Sequence, residues 1–361
     1  MDQNNRKQDL PYISVIVLNY NGLRHLEGCF SSLESLDYPR DRFEIIMVGN
    51  GSTDSSVLFA AQKFPRVRIV KLDKNYGFSK GNNMGAESAN YPYIAFLNND
   101  TVVHKDWLYG LAASLKQERL IVNSKMVYFH DRGILNQGRG YLYRWGIGFC
   151  KGAGEDESLF NEPVYIHHAT GGSMLLRKDD FIEIGKFDED FFAYHEDVDF
   201  GWRAWIYGYK ISYTPASVGY HKTGRTMGGF SSYKTYLVAR NTLSYILKNC
   251  GSKYLFSMLV MNLLFLFLLS FFFLLPFKPI PLRYGDSVKR SLAILKGIYS
   301  FAAIIPLNIK KRRKIQAKRA VSDKRLFEAG VIMSFAESVS YMMSNNFKTV
   351  KYLIEAGRQE Y

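Results

Sequence analysis

The densest run of potentially reactive side chains is Tyr194-His195-Glu196-Asp197-Val198-Asp199, followed closely by Trp202 and Arg203. The three acids fall at the start of a segment, Val198 to Tyr207, whose apolar residues share one helical face. Carboxylates there feel the positive end of the helix dipole and stay ionised near neutral pH. Held that way, a carboxylate can take a proton from a nucleophile or hold a cation. The same letters also read as ordinary capping of a surface helix. A further acid, Asp100, ends the run Asn98-Asn99-Asp100 after the apolar stretch Tyr93 to Leu97. It offers a hard oxygen ligand to magnesium or manganese, or a cap for a helix starting near Lys105. His221 closes Val218-Gly219-Tyr220-His221, as a ligand or as a structural histidine.

Such groups act together only if the chain brings them together. Ile13 to Leu18, Phe43 to Val48, Val67 to Leu72 and Tyr93 to Leu97 read as strands, with Leu23 to Leu36 and Ser56 to Lys63 as intervening helices. That alternation predicts an α/β, mainly parallel sheet covered on both faces, with ligands beyond the carboxyl ends of its strands. The loops at those ends carry Asn19 and Asn21, then Asn50 and Asp54, then Asn75, Gly77 and Asn83, then Asn98 and Asn99. Any one loop reads as a turn, whereas four on one edge make a crevice able to cradle a nucleotide and its diphosphate. Residues 125–160 are rich in Gly, Arg and Tyr and read as irregular. Trp145 is there a sugar-stacking platform or core filler. Lys210 to Thr214 reads as another strand.

The chain has 361 residues and a formal charge of +14, with a basic run at Lys310-Lys311-Arg312-Arg313-Lys314 that suits an anionic surface, either nucleic acid or phospholipid headgroups. Cys29, Cys150 and Cys250 lack metal-ligand spacing and suggest a reducing compartment. Met1 to Asp9 is polar, so no secretory signal is expected. Tyr254 to Phe277 contains no charged residue and is long enough for a bilayer span, which takes roughly 20 residues. Basic residues flank both ends (Lys253, then Lys278 and Arg283), which favours monotopic attachment over a single crossing. Leu292 to Leu307, interrupted by Lys296, reads as an interfacial helix. The expected organisation is a polar tail (1–10), a catalytic domain (11–235, divided near 104/105) and a helical membrane-associating region (236–361).

Taken in order, Val15-Ile16-Val17-Leu18-Asn19-Tyr20-Asn21-Gly22, Val48-Gly49-Asn50-Gly51-Ser52-Thr53-Asp54, Asn75-Tyr76-Gly77-Phe78, Asn98-Asn99-Asp100, Thr170-Gly171-Gly172, Glu196-Asp197-Val198-Asp199 and His221 resemble the family 2 glycosyltransferases of GT-A fold. The likeness is greatest to the rhamnosyltransferase-like and galactofuranosyltransferase-like branch. The resemblance implies a Rossmann-like nucleotide-diphospho-sugar transferase fold, with Asn19, Asn21, Asn50, Asp54, Asn75, Gly77, Asn83, Asn98 and Asn99 around the donor. It implies that Asp100 and His221 hold Mn²⁺ or Mg²⁺, and that Asp197 is the catalytic base with Glu196 and Asp199 in support. Gly171, Gly172 and Trp202 fall on the acceptor side. One base and one displacement imply an inverting transfer to a hydroxyl of a lipid-linked or glycan acceptor, at the cytoplasmic face of the membrane, with no nucleic-acid partner. Gly49 departs from the family, which usually has aspartate there. That motivates the alternative of an inactive, membrane-bound nucleotide-sugar binding scaffold.

Overall fold

The computed structural model describes residues 10–222, 231–275 and 284–344. Two compact units are present. The first holds the described residues up to Gly140, Cys150–Ala204, and the chain from Tyr209 to Lys222. The second holds Tyr141–Phe149, Trp205–Gly208 and the helices after Ser231.

The first unit starts as β-branched runs require. β1 (Ile13–Asn19), β2 (Phe43–Asn50), β3 (Val67–Leu72) and β4 (Tyr93–Asn98) are parallel neighbours in the order β4-β1-β2-β3. Between them run α1 (Leu23–Glu34), α2 (Ser56–Lys63) and α3 (Gly77–Ser88). Ile13, Val15 and Val17 of β1 pack with Phe30 and Leu33 of α1 and with Trp107 and Leu111 of α4 (Trp107–Ala113), all buried. The sheet continues from β4 through β11 (Ser173–Arg177), β6 (Leu120–Tyr128), β12 (Lys210–His221) and β10 (Val164–Tyr165). The short β5 (Thr101–Val103) pairs with β12, and β7 (Leu135–Gln137) with β6, while α5 (Lys178–Ile184) follows β11 directly. This mostly parallel, mixed sheet with flanking helices is a GT-A-like fold.

Register places the chemistry. β11 runs antiparallel to β4 with Ser173 opposite Leu97, so Gly171 and Gly172 lie beyond the carboxyl end of β4, beside Asn98. β12 is parallel to β6 and antiparallel to β5, pairing His221 with Thr101. Asp100, Gly171, Gly172 and His221 therefore share one rim.

Several expectations from the letters need correction here. The segment 125–160, expected to be irregular, contains the end of β6, β7, β8 (Gly140–Leu142) and β9 (Gly148–Cys150). β6 lacks an apolar pattern because Asn123, Ser124 and Lys125 sit in its middle, yet all are buried and satisfied. Asn123 Nδ2 donates to Gly138 O at 2.7 Å, Ser124 Oγ lies 2.5 Å from Ser173 Oγ, and Lys125 Nζ donates to Glu157 Oε2 at 2.5 Å. Burying polar atoms is tolerable only with such partners. β12 also runs well past Thr214, with an irregularity between Thr214 and Val218 where Pro215 interrupts the ladder.

In the second unit, α7 (Ser232–Asn249), α8 (Ser252–Leu274) and α9 (Tyr284–Ala303) share a core of Leu243, Leu247, Leu266, Phe273, Ile294 and Phe301. α8 is long and apolar enough to cross a membrane. Pro276 and Phe277 of the expected span lie outside the described residues, as do Met1 to Asp9 of the expected tail. The expected second segment, Leu292 to Leu307, is not one helix: α9 gives way at Ile304 to α10 (Ile305–Ala317) with a bend of 64°. Trp145 is buried, stacked on Tyr143 at 5.0 Å and Phe265 at 6.1 Å, which makes it core filler rather than a sugar platform.

Candidate active site

Asp100 and His221 meet directly. Asp100 Oδ1 lies 3.2 Å from His221 Nε2, and both residues are buried. His221 Nδ1 lies 2.8 Å from Oδ1 of Asn136, which fixes the ring with Nε2 aimed at Asp100. Burial alone would raise the Asp100 pKa, but the facing His221 outweighs it and the carboxyl is lowered from its ordinary value. A carboxylate oxygen and an imidazole nitrogen oriented by an outer amide fit a divalent cation such as manganese. Among the described residues no group of three or more His, Cys, Asp or Glu is arranged to hold a metal.

Asp197 opens α6 (Glu196–Ile206). One carboxylate oxygen accepts from the Val198 N–H at 2.8 Å and the other from the Gly171 N–H at 3.4 Å, which fixes it against the rim. Burial raises its pKa, partly opposed by His195 and those N–H groups. Glu196 is more deeply buried, and its Oε2 has no hydrogen-bond partner among the described residues. Burial and then the neighbouring Asp197 charge push its pKa well up. Two crowded acids titrate as a pair rather than one by one. Just before them Phe192, Tyr194 and His195 all have positive φ, near 64°, 68° and 66°, a strained turn of the kind found where side chains must be aimed.

Asp199 has a different task from the one its position suggests. Fully buried, its Oδ2 accepts from Arg203 at 2.8 and 3.0 Å, and Arg203 in turn donates to the Ile184 and Lys186 carbonyls at 2.7 Å. It is a positioning residue that ties α6 to the preceding loop. Trp202 is also corrected: it has no exposed surface and meets His167 edge-on at 5.7 Å, so it cannot stack on an acceptor. Trp202→Ala is expected to destabilise the fold by about 3–5 kcal/mol in denaturant titrations, through loss of a large buried ring.

The asparagines form a scaffold. Asn19 Nδ2 donates to Ser56 Oγ at 2.9 Å and its Oδ1 accepts from Asn99 at 2.7 Å. A Cβ on Gly22 would lie 2.2 Å from that Asn99 amide, so glycine is required beside the pair. Asn50 donates to Asn75 Oδ1 and Gly77 O, and accepts from the Tyr76 N–H. The N–H groups of Gly77, Phe78 and Ser79 are taken by Asn75 Oδ1 and by the Phe192 carbonyl. The Asn75–Ser79 turn is therefore closed by protein acceptors and is not the open amide cradle expected from the letters. Gly77, at φ +81°, would carry a Cβ 2.4 Å from Phe192 O. Asn83 is engaged with Phe187 and Glu189, holding α3 to the 187–189 turn. Asn21 Oδ1 accepts from the Thr53 and Asp54 N–H groups, and Asp54 accepts from the Leu23 and Ser56 N–H groups. Asp54 is lowered in pKa, its hydrogen bonds outweighing partial burial.

Asn98 differs. Half-buried, its side-chain amide makes no hydrogen bond among the described residues and lies 2.7 Å from where Gly172 would carry a Cβ. Gly171 and Gly172 hold the floor between Asn98 and Asp197, where a Cβ on Gly171 would crowd Phe78 at 3.0 Å. Asn136, which orients His221, was not legible from the letters. Lys222, whose backbone N–H donates to Asp100 O at 2.9 Å and whose ammonium lies 4.8 Å from the Phe129 ring, was also missed. The only available signal was their nearness in sequence to a strand end or to His221.

With this geometry established, comparison with known proteins gives it a context. Residues 14–185 match the model of glycosyl transferase family 2. The poly-beta-1,6-N-acetyl-D-glucosamine synthase of Staphylococcus epidermidis is 26% identical over 226 residues, which are 62% of this chain and 52% of that protein. The Staphylococcus aureus (strain COL) synthase is 25% identical over 61% of this chain and 52% of its own. The chain thus spans about half the length of these relatives. Among solved structures, TarS 1-349 of S. aureus superposes with a TM-score of 0.55 at 18% identity, covering 85% of this chain and 87% of that one. The Pyrobaculum calidifontis mannosyltransferase in complex with GDP-Man and Mn²⁺ gives 0.53 at 14% identity, covering 98% and 88%.

Proposed function

Taking residues 14–185 as a family 2 glycosyltransferase segment, we propose that the protein transfers a sugar from a nucleotide-diphosphate donor to a hydroxyl of a growing surface glycan, with inversion at the anomeric carbon. The observation that carries this reading is the meeting of the Asp100–His221 pair, the Gly171–Gly172 floor and Asp197 at one rim of the sheet. Asp197 takes the proton of the attacking hydroxyl, and the Gly171 N–H holds the carboxylate in place beside the buried Glu196. Asn98 contacts the donor, while Asn19, Asn50, Asn75, Asn83 and Asn99 shape the loops around it. Asp100 and His221 would hold a divalent cation, which offsets charge on the departing diphosphate. Polymer-forming relatives and the apolar helix Ser252–Leu274 support a lipid-linked or membrane-proximal acceptor, met at the cytoplasmic face.

Thermal melts with UDP-, dTDP- and GDP-sugars, including rhamnosyl and galactofuranosyl donors of the branch the motifs resemble, test this reading. One donor class is expected to raise the melting temperature in a manganese-dependent way and then to be turned over. Gly49 supports a second reading, a binding scaffold without activity. A Cβ there would meet Val57 at 3.0 Å, and no carboxylate stands at that position. Stabilisation by a donor without transfer or hydrolysis would favour it.

A further inference from the structure

α8 presents two unlike faces. Met258, Asn262, Leu266, Ser270 and Phe273 form its buried stripe, in which Asn262 donates to the Trp145 carbonyl at 3.1 Å and Ser270 Oγ lies 2.8 Å from Ser291 Oγ. On the outside Phe256, Val260, Leu264, Phe267, Leu268 and Phe271 are exposed, Phe256 to 79% and Leu268 to 69%. A helix crossing a bilayer by itself needs no polar inner stripe. A core helix of a water-soluble protein does not leave such an outer face bare.

The neighbours of α8 decide between lying on a membrane and crossing it. Its inner stripe shares a core with Ala239, Leu243 and Leu247 of α7 and with Ile294 and Phe301 of α9. α7 carries Lys234, Arg240 and Lys248, and α9 carries Asp286, Lys289, Arg290 and Lys296. α8 cannot enter the hydrocarbon end-on without dragging these charges along or unpacking its inner face. Only the outer face is free to dip in.

α10 supplies the complementary charge, because its basic run is divided by helical face. Arg312 is engaged, donating to the Leu247 and Cys250 carbonyls and to Ser252 Oγ, and Gln316 donates to the Lys248 carbonyl. Those bonds hold α10 against the end of α7 and the start of α8. Lys310, Arg313 and Lys314 point to solvent there, with Leu307 and Ile309 exposed beside them.

We propose that α8 lies in the plane of an anionic phospholipid leaflet, with its Phe256-to-Phe271 face in the acyl boundary and Lys310, Arg313 and Lys314 on the headgroups. This deepens, and rests on, the membrane-face reading above. An in-plane helix buries its apolar face about 5–10 Å deep along its whole length. Each basic residue at an anionic surface strengthens binding several-fold, so losing three weakens it on the order of 100-fold.

The test uses the full-length protein diluted from detergent into preformed vesicles of phosphatidylcholine alone or with phosphatidylglycerol. Binding is expected to be tighter to the anionic vesicles, to weaken with salt, and to fall on the order of 100-fold in a Lys310→Gln/Arg313→Gln/Lys314→Gln protein of unchanged circular dichroism. Phe256→Trp, Leu264→Trp and Phe271→Trp, each read against wild type with brominated lipids, are expected to report one shared shallow depth. A Leu264→Trp depth well below that of the two ends would mean a crossing helix and overturn the in-plane arrangement. Equal affinity for neutral and anionic vesicles, or an unaffected triple variant, would overturn the headgroup contacts. Binding to duplex DNA but to neither vesicle would make the basic face a nucleic-acid surface and overturn the whole proposal. Because vesicle binding is read without sugar transfer, a failure here is separable from a failure of the enzymatic assignment.

Discussion

An Asp197→Asn protein is expected to fold normally, to bind nucleotide as wild type does, and to lose roughly 10²- to 10⁴-fold in kcat, the usual contribution of a positioned general base. The amide oxygen can still accept from the Gly171 or Val198 N–H, so the substitution removes proton affinity and little else. The wild-type pH profile carries the same signature. Burial raises the Asp197 pKa, so activity is expected to fall on the acid side at a pH above the ordinary aspartate range and to rise as the group ionises. Glu196→Gln removes a buried carboxyl that resists ionisation. It is expected to raise the melting temperature at neutral pH. A carboxyl whose folded pKa is raised stabilises the fold below its unfolded pKa, and that contribution is lost as pH rises through the folded value. Glutamine bears no such cost. A kcat for Asp197→Asn within a few-fold of wild type would remove Asp197 from the role of base.

Asp100→Ala is expected to abolish the manganese-dependent part of the stabilisation by nucleoside diphosphate while leaving the unliganded melting curve within a few degrees of wild type. Losing one of two protein ligands costs most of the cation's affinity, and the uncompensated diphosphate then binds weakly. Asn136→Leu is a graded companion. It keeps both ligands but frees the His221 ring, and an outer-shell loss of this kind typically weakens metal binding by about 10- to 100-fold. Nucleotide stabilisation that responds to manganese equally in Asp100→Ala and wild type would place the cation elsewhere.

How far the letters went depended on whether each residue's task was local. The β-branched runs of β1 to β4 and their intervening helices were legible, because period and turn residues specify them without help from the rest of the chain. β6 was not, because Asn123, Ser124 and Lys125 are compatible with a buried strand only through partners as distant as Glu157 and Ser173. Asp100 and His221 stood out by type and position and do meet, yet Asn136, which orients the ring, looks like any loop asparagine. Asp199 and Trp202 sit two and five residues after Asp197 and share its neighbourhood in sequence. The 3.6-residue repeat turns both inward, toward Arg203 and His167. The asparagine loops are tied to one another and to neighbouring backbone, a pairing that no single loop shows in its own letters. The basic run of α10 likewise divides into residues that hold the helix down and residues that face outward, a distinction that only helical phase supplies.

The most direct test is a crystal of this protein grown with its nucleoside diphosphate and manganese, measured at a wavelength where manganese scatters anomalously. A single strong peak between the Asp100 carboxylate and Nε2 of His221, beside the diphosphate, is the expected result. Nucleotide bound at the rim with no manganese between those two side chains would contradict the proposed centre.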